Sequence, residues 1–246
     1  MPTLTQLPAG TVTLDDARRS ISREVALLAF EIGIHLVTLT EYGDPGLQVA
    51  RSEVPPVAGV RWIDAIRWCN AASQVAGHSP AYAITDTSVT WDLGSTGFRL
   101  PTEAEWVYAC RAGSDGARYG ELAEIAWTAA DRVLGPQPVG LKHPNAFGLT
   151  DTLGNVWEWC WDRIDPARYG DYRVLKGGGW ADPEWSCRVG VRRGDAPDAR
   201  LEDAGFRVAR GIPGARGQGW SEAADRSRAD ITGPRPIGWT PLARDR

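Results

Sequence analysis

Apolar and polar positions alternate over residues 29–38, where Phe30, Ile32, Ile34 and Leu36 interleave with Glu31, Gly33 and His35. A period of two with branched residues predicts a strand. Thr38 stands where it caps a short helix starting at Leu39. Over residues 60–77 the period lengthens. Ile63, Ile66, Cys69 and Val75 recur near helical spacing and Gly77 follows them, which predicts an amphipathic helix. Residues 81–85 and 88–92 read as a hairpin turning at Asp86 and Thr87. A second helix runs over residues 101–111. Thr102 is its N-cap, Glu105 three residues later completes a capping box, and Gly113 ends it. From 114 to 185 no period is sustained, so the segment reads as mostly loop with aromatic islands. Residues 204–209 read as a last strand. Residues 1–25 are polar and mixed, with 14–22 read as loop or a short helical turn.

Composition narrows the architecture. The chain has 12 Trp against 4 Phe and 1 Met, with 28 Gly and 17 Pro. Gly and Pro cut long elements short, and large aromatic anchors must then hold loops together. Coiled coils, helical bundles and doubly wound α/β folds fit poorly, and no repeat points to a solenoid. A net charge of −4 argues against binding nucleic acid through phosphate neutralisation. No apolar run reaches the length of a membrane span. The opening Met1 to Gln6 has neither the basic nor the apolar region of a leader. Cys69, Cys110, Cys160 and Cys187 lie far apart, which predicts reduced thiols in a cytoplasmic protein.

Four segments carry a family resemblance. They are Gly97-Phe-Arg-Leu-Pro-Thr-Glu-Ala-Glu-Trp, Asn145-Ala-Phe-Gly-Leu-Thr-Asp-Thr-Leu-Gly-Asn-Val-Trp-Glu-Trp, Arg173-Val-Leu-Lys-Gly-Gly-Gly-Trp and Ala204-Gly-Phe-Arg-Val-Ala-Arg. In this order they resemble the formylglycine-generating enzymes, or sulfatase-modifying factors, over about residues 28–210. The resemblance implies an α+β class: a variant C-type lectin fold with short twisted sheets, two helices and much irregular loop. The expected organisation is an N-terminal segment 1–27, one domain 28–210, and an extended or disordered tail 211–246.

The resemblance also supplies a catalytic test. Enzymes of the family hold copper(I) between two cysteines five residues apart, after a Gly-Gly-Ser turn. Here Gly179 stands for the serine, Asp182 for the first cysteine and Cys187 for the second. A lone thiol beside a carboxylate is a poor copper(I) site, so copper is not expected. Cys69 and Cys110 match disulfide positions of secreted relatives, and their partner positions here are Val208 and Arg192. An iron-dependent branch of the family needs clustered histidines, and His35, His78 and His143 are scattered.

For Asp151, Gly154, Val156 and Glu158 the resemblance implies a structural calcium site of two carboxylates and two backbone oxygens, a chemistry that suits a hard cation. The competing reading has Asp151 capping a turn and Glu158 pairing with an arginine. Arg99 and Arg207 are expected to tie loops together. A ligand groove is expected at Trp157, Gly179, Asp182, Glu184, Trp185 and Cys187. The leading function is non-catalytic, lectin-like binding of a peptide, protein or small molecule, with no nucleic acid and no membrane. One version is a retroelement-diversified protein, its variable positions including Ala181, Asp182, Glu184, Trp185, Ser186, Gly194, Asp195 and Ala199. The alternative is an oxygen- and metal-dependent enzyme using Asp182 and Cys187.

Overall fold

A computed structural model describes residues 1–16, 21–46, 54–85, 88–165 and 169–212. Strand β4 (Phe30–Gly33) is the centre of a three-stranded sheet, with β1 (Leu4–Leu7) on one edge and β11 (Ala209–Arg210) on the other. Both partners run antiparallel to β4. A four-stranded sheet has the order β10-β7-β8-β9, built from Ala204–Gly205, Trp157–Arg163, Arg173–Lys176 and Arg193–Asp195. Two hairpins, β2–β3 (Gly10–Asp16 and Ile21–Leu27) and β5–β6 (Tyr82–Ile84 and Val89–Trp91), complete the strands.

The expected loop or helical turn over 14–22 is instead the end of β2 and the start of β3, with 17–20 outside the described residues. Val12, Val25 and Leu27 are buried, so tertiary packing recruits strands that polarity masks in the sequence. The strand expected over 29–38 is confined to β4, and Thr38 caps α1 (Leu39–Gly43) with a full capping box to Glu41. Helix α2 (Trp62–Val75) and helix α3 (Glu103–Arg111) lie within the two helical windows. Thr102 and Glu105 form the anticipated capping box. Ala112 rather than Gly113 first adopts the left-handed conformation at the C-terminal end of α3. The turn expected at Asp86 and Thr87 falls outside the described residues, as do residues 213–246 of the expected tail.

The segment 114–185 is less irregular than its sequence suggests. It holds α4 (Leu122–Ile125), a 3-10 turn (Ala129–Asp131), β7 and β8. The missed strand β7 reads Trp-Glu-Trp-Cys-Trp-Asp-Arg and is buried on both faces up to Asp162. Its sequence alternates Trp157, Trp159 and Trp161 with Glu158, Cys160 and Asp162, but the acids are bonded inside the core, so the polar side of the pattern is buried as well. The single strand expected over 204–209 is two short strands in different sheets. Residues 206–208 cross between them, with Val37 N donating to Phe206 O and Gly33 N to Val208 O.

Indole groups join helix α2 to the second sheet and its approach loop. Trp62 Nε1 donates to Cys160 O at 2.9 Å, and Trp159 Nε1 donates to Val60 O at 2.8 Å. One apolar cluster surrounds α2 and includes Trp62, Trp159 and Phe206; another surrounds α3 and includes Trp106, Leu7 and Ile32. Among the described residues, no helix is long and apolar enough to cross a membrane.

Candidate ligand-binding cleft

Strand β8 ends in a turn that sets the site. Gly177 and Gly178 adopt φ of +96° and +83°, a region that L side chains rarely reach. Gly179 does not, so the left-handed backbone ends before it. A Cβ on Gly178 would lie 2.7 Å from Cys187 Sγ, which shows how closely the following loop folds back. Arg118, from another loop, clamps that return. Its guanidinium donates to Glu184 O at 2.6 Å and to Cys187 O at 3.0 Å. Ala129 N donates to Asp182 O, and Trp180 N to Asn155 O.

Asp182 is positioned with care. Its Oδ2 accepts from Trp157 Nε1 at 2.6 Å and from Gly179 N at 2.8 Å. A carboxylate oxygen shared by two N–H donors is fixed in direction. Asp182 and Trp157 line a cleft of about 470 Å³ together with Trp185. Ile164, Tyr169 and Tyr172 also line it, as do Arg192, Arg193 and Gly194 at β9. The two tyrosine rings stack at 5.9 Å. Gly194 keeps the wall close, since a Cβ there would meet the Ile164 side chain at 2.6 Å. Trp185 is 62% exposed, an unusual state for so large an aromatic.

Three expected groove residues, Trp157, Asp182 and Trp185, are therefore together. Three are not on the cleft. Gly179 is buried in the turn, Glu184 is exposed but does not line the cleft, and Cys187 is fully buried. The family resemblance implies a Cys187 thiol in the groove, but the tight return at Gly178 turns the side chain into the α3 cluster. Burial, with the Asp182 carboxylate second, pushes that thiol up to about 12. A thiol raised this far is protonated near neutral pH, which is not its nucleophilic form. Tyr169 and Tyr172 were invisible to motif reasoning. Their one signal is two aromatics three apart beside Gly170 and Asp171, in a stretch with no apolar period.

Both carboxylates considered for calcium, Asp151 and Glu158, meet other partners. Glu158 is fully buried, and Arg207 binds both its oxygens, Nε to Oε2 at 2.8 Å and Nη2 to Oε1 at 2.9 Å. The same guanidinium donates to the carbonyls of Gly33, Ile34 and Thr150. Burial pulls Arg207 down, but the Glu158 carboxylate outweighs this and holds it above the ordinary arginine value. Asp151, at φ +55°, accepts from Asn155 Nδ2 at 3.2 Å and from Gly140 N at 2.8 Å. Every oxygen of both carboxylates thus has a protein partner. As arranged, the two carboxylates do not fit calcium: Arg207 already supplies the positive charge that Glu158 needs, and neither acid has an oxygen without a protein partner. Arg99 ties loops in the same manner, with two hydrogen bonds of 2.7 and 2.6 Å to Glu105. Cys69, Cys110, Cys160 and Cys187 are all buried and unbridged.

The chain is 34% identical over 174 residues to a formylglycine-generating enzyme of Streptomyces coelicolor, covering 56% of this chain and 55% of that one. It thus spans little more than half the length of that relative. It is 31% identical over 194 residues to the inactive Cα-formylglycine-generating enzyme 2 of Mus musculus, covering 69% and 63%. Among solved structures, Treponema denticola variable protein 1 superposes with a TM-score of 0.74 at 29% identity, over 85% of this chain and 95% of that one. The mixed architecture of few helices and short sheets is that of formylglycine-generating-enzyme-type and C-type lectin-like folds. The model of the sulfatase-modifying factor enzyme 1-like domain matches residues 1–212, and the chain belongs to that family.

Proposed function

We propose that this chain is a non-catalytic binding member of its family, and that the cleft at Trp157, Asp182 and Trp185 takes a peptide or protein ligand. The observation that carries the reading is a pair. The position of the first metal-binding cysteine holds a carboxylate committed to Trp157 Nε1, and the remaining thiol of Cys187 is buried. Meanwhile Trp185, a residue type enriched in binding hot spots, stands exposed over the cleft. The inactive mammalian relative and the variable-protein neighbour support the same direction. The finer version, diversification by a retroelement, draws on that neighbour. Asp182, Trp185, Ser186 and Gly194, all among the positions expected to vary, line the cleft. A near-copy of the coding segment beside the gene would support it.

The test is selection of binders from a peptide display library, followed by the Trp185→Ala variant. Loss of about 2 kcal/mol or more of binding, with an unchanged melting temperature, is the expected result. Selected peptides that bind both forms equally would remove the cleft as the site. The enzymatic alternative at Asp182 and Cys187 requires stoichiometric copper or iron lost in Cys187→Ser; the proposal expects none.

A further inference from the structure

A second cavity, of about 20 Å³, lies between strand β2, helix α3 and the end of β8. That is room for one water molecule or one small ion. We infer that it is a binding site for a small monovalent anion such as chloride, held by the Lys176 ammonium. The inference stands apart from the reading of the cleft.

Lys176 lines the cavity and is 1% exposed. An ammonium carries three N–H donors, and a lysine is almost never buried so far unless it is paired. Its one ion-pair contact among the described residues is Glu103 Oε1 at 3.6 Å, beyond hydrogen-bond distance. That carboxylate is already committed. Arg192 donates Nε to its Oε1 at 2.6 Å and Nη2 to its Oε2 at 2.8 Å. A bidentate arginine–carboxylate pair is closed in charge, so Lys176 is a surplus positive charge in the interior. The Trp106 ring, 5.4 Å from Nζ, offers only its quadrupole. Burial pulls the Lys176 amine below the ordinary lysine value, with Glu103 opposing the shift and Arg192 adding to it.

The rest of the lining does not supply the missing charge. Arg111, at the end of α3, is a further cation on the wall and donates to the neutral carbonyls of Ser114 and Gly116. Asp15 is exposed and accepts from Ser22 Oγ at 2.6 Å. Val107 and Val189 are buried apolar walls, which lower the local dielectric and strengthen any charge pairing inside. A water would accept from Lys176 but leave its charge uncompensated. A small anion supplies both the acceptor and the counter-charge.

The test is thermal unfolding of the full chain, read by circular dichroism, in sodium chloride and in sodium gluconate at matched ionic strength. Gluconate is too large for the cavity. A tenfold rise in chloride above its Kd should raise the melting temperature by about 3–5 °C relative to gluconate. Lys176→Met should abolish that difference. It leaves the Glu103–Arg192 pair intact and removes the surplus charge, so the fold should hold. Arg111→Gln should reduce the difference. A second readout needs no variant: crystals grown in sodium bromide should show an anomalous peak beside Lys176 Nζ. Equal melting in the two salts, a chloride response that persists in Lys176→Met, or a cavity that holds only water in bromide would overturn the inference.

Discussion

Arg207 and Glu158 are each completely buried, and every donor of the guanidinium faces a carboxylate or a carbonyl oxygen. Removing one partner leaves the other charge stranded in the core. Glu158→Gln is expected to destabilise the protein by about 3–5 kcal/mol, read from urea unfolding. The same pair sets the outcome of metal removal. Because Arg207 occupies both Glu158 oxygens, chelation should leave the melting temperature unchanged. A fall restored by calcium and absent in Asp151→Ala would show that a cage does form. The thiols offer a third check. All four are buried, with burial pushing Cys110 and Cys187 up to about 12. A thiol reagent near neutral pH should label none in the native protein and all of them once guanidinium unfolds it.

Helix α3 is the element whose signals agree at every level. Thr102 Oγ1 accepts from Glu105 N at 3.1 Å, and Glu105 Oε2 accepts from Thr102 N at 2.8 Å. Glu105 also anchors Arg99, so one acid closes the helix and ties it to the preceding strand-like segment. Thr102→Ala is expected to cost about 1–2 kcal/mol by thermal or urea unfolding, since the orphaned amide is buried. Strand β7 is the opposite case. Its Trp residues alternate with Glu158, Cys160 and Asp162, yet that polar side does not face solvent, because Glu158 and Asp162 find their partners within the interior.

The whole molecule is closed by its last described residues. Ala204–Gly205 pairs parallel to β7, Ala209–Arg210 pairs antiparallel to β4, and Arg207 lies between them in the core. The N-terminal strand β1 completes the same sheet as β11. Deleting residues 204–246 should therefore abolish cooperative folding in a circular dichroism melt, because both sheets lose an edge and Glu158 loses its counter-charge. A cooperative melt in that truncation would show that the two sheets are held by other contacts.

The sequence by itself determined the local devices: the N-cap at Thr38, the capping box at Thr102, the amphipathic period of α2, the paired arginines as ties, and the loss of the cysteine pair at Asp182. These depend on neighbours in the chain or on a residue's identity, and both are written in order. Only the tertiary structure decided the rest. It sent Cys187 inward through the turn at Gly178, gave Glu158 to Arg207, and brought Tyr169 and Tyr172 into one cleft with Trp185. Those outcomes depend on which surfaces meet across long separations in the chain, and burial and charge pairing at such meetings leave no periodic trace in the sequence.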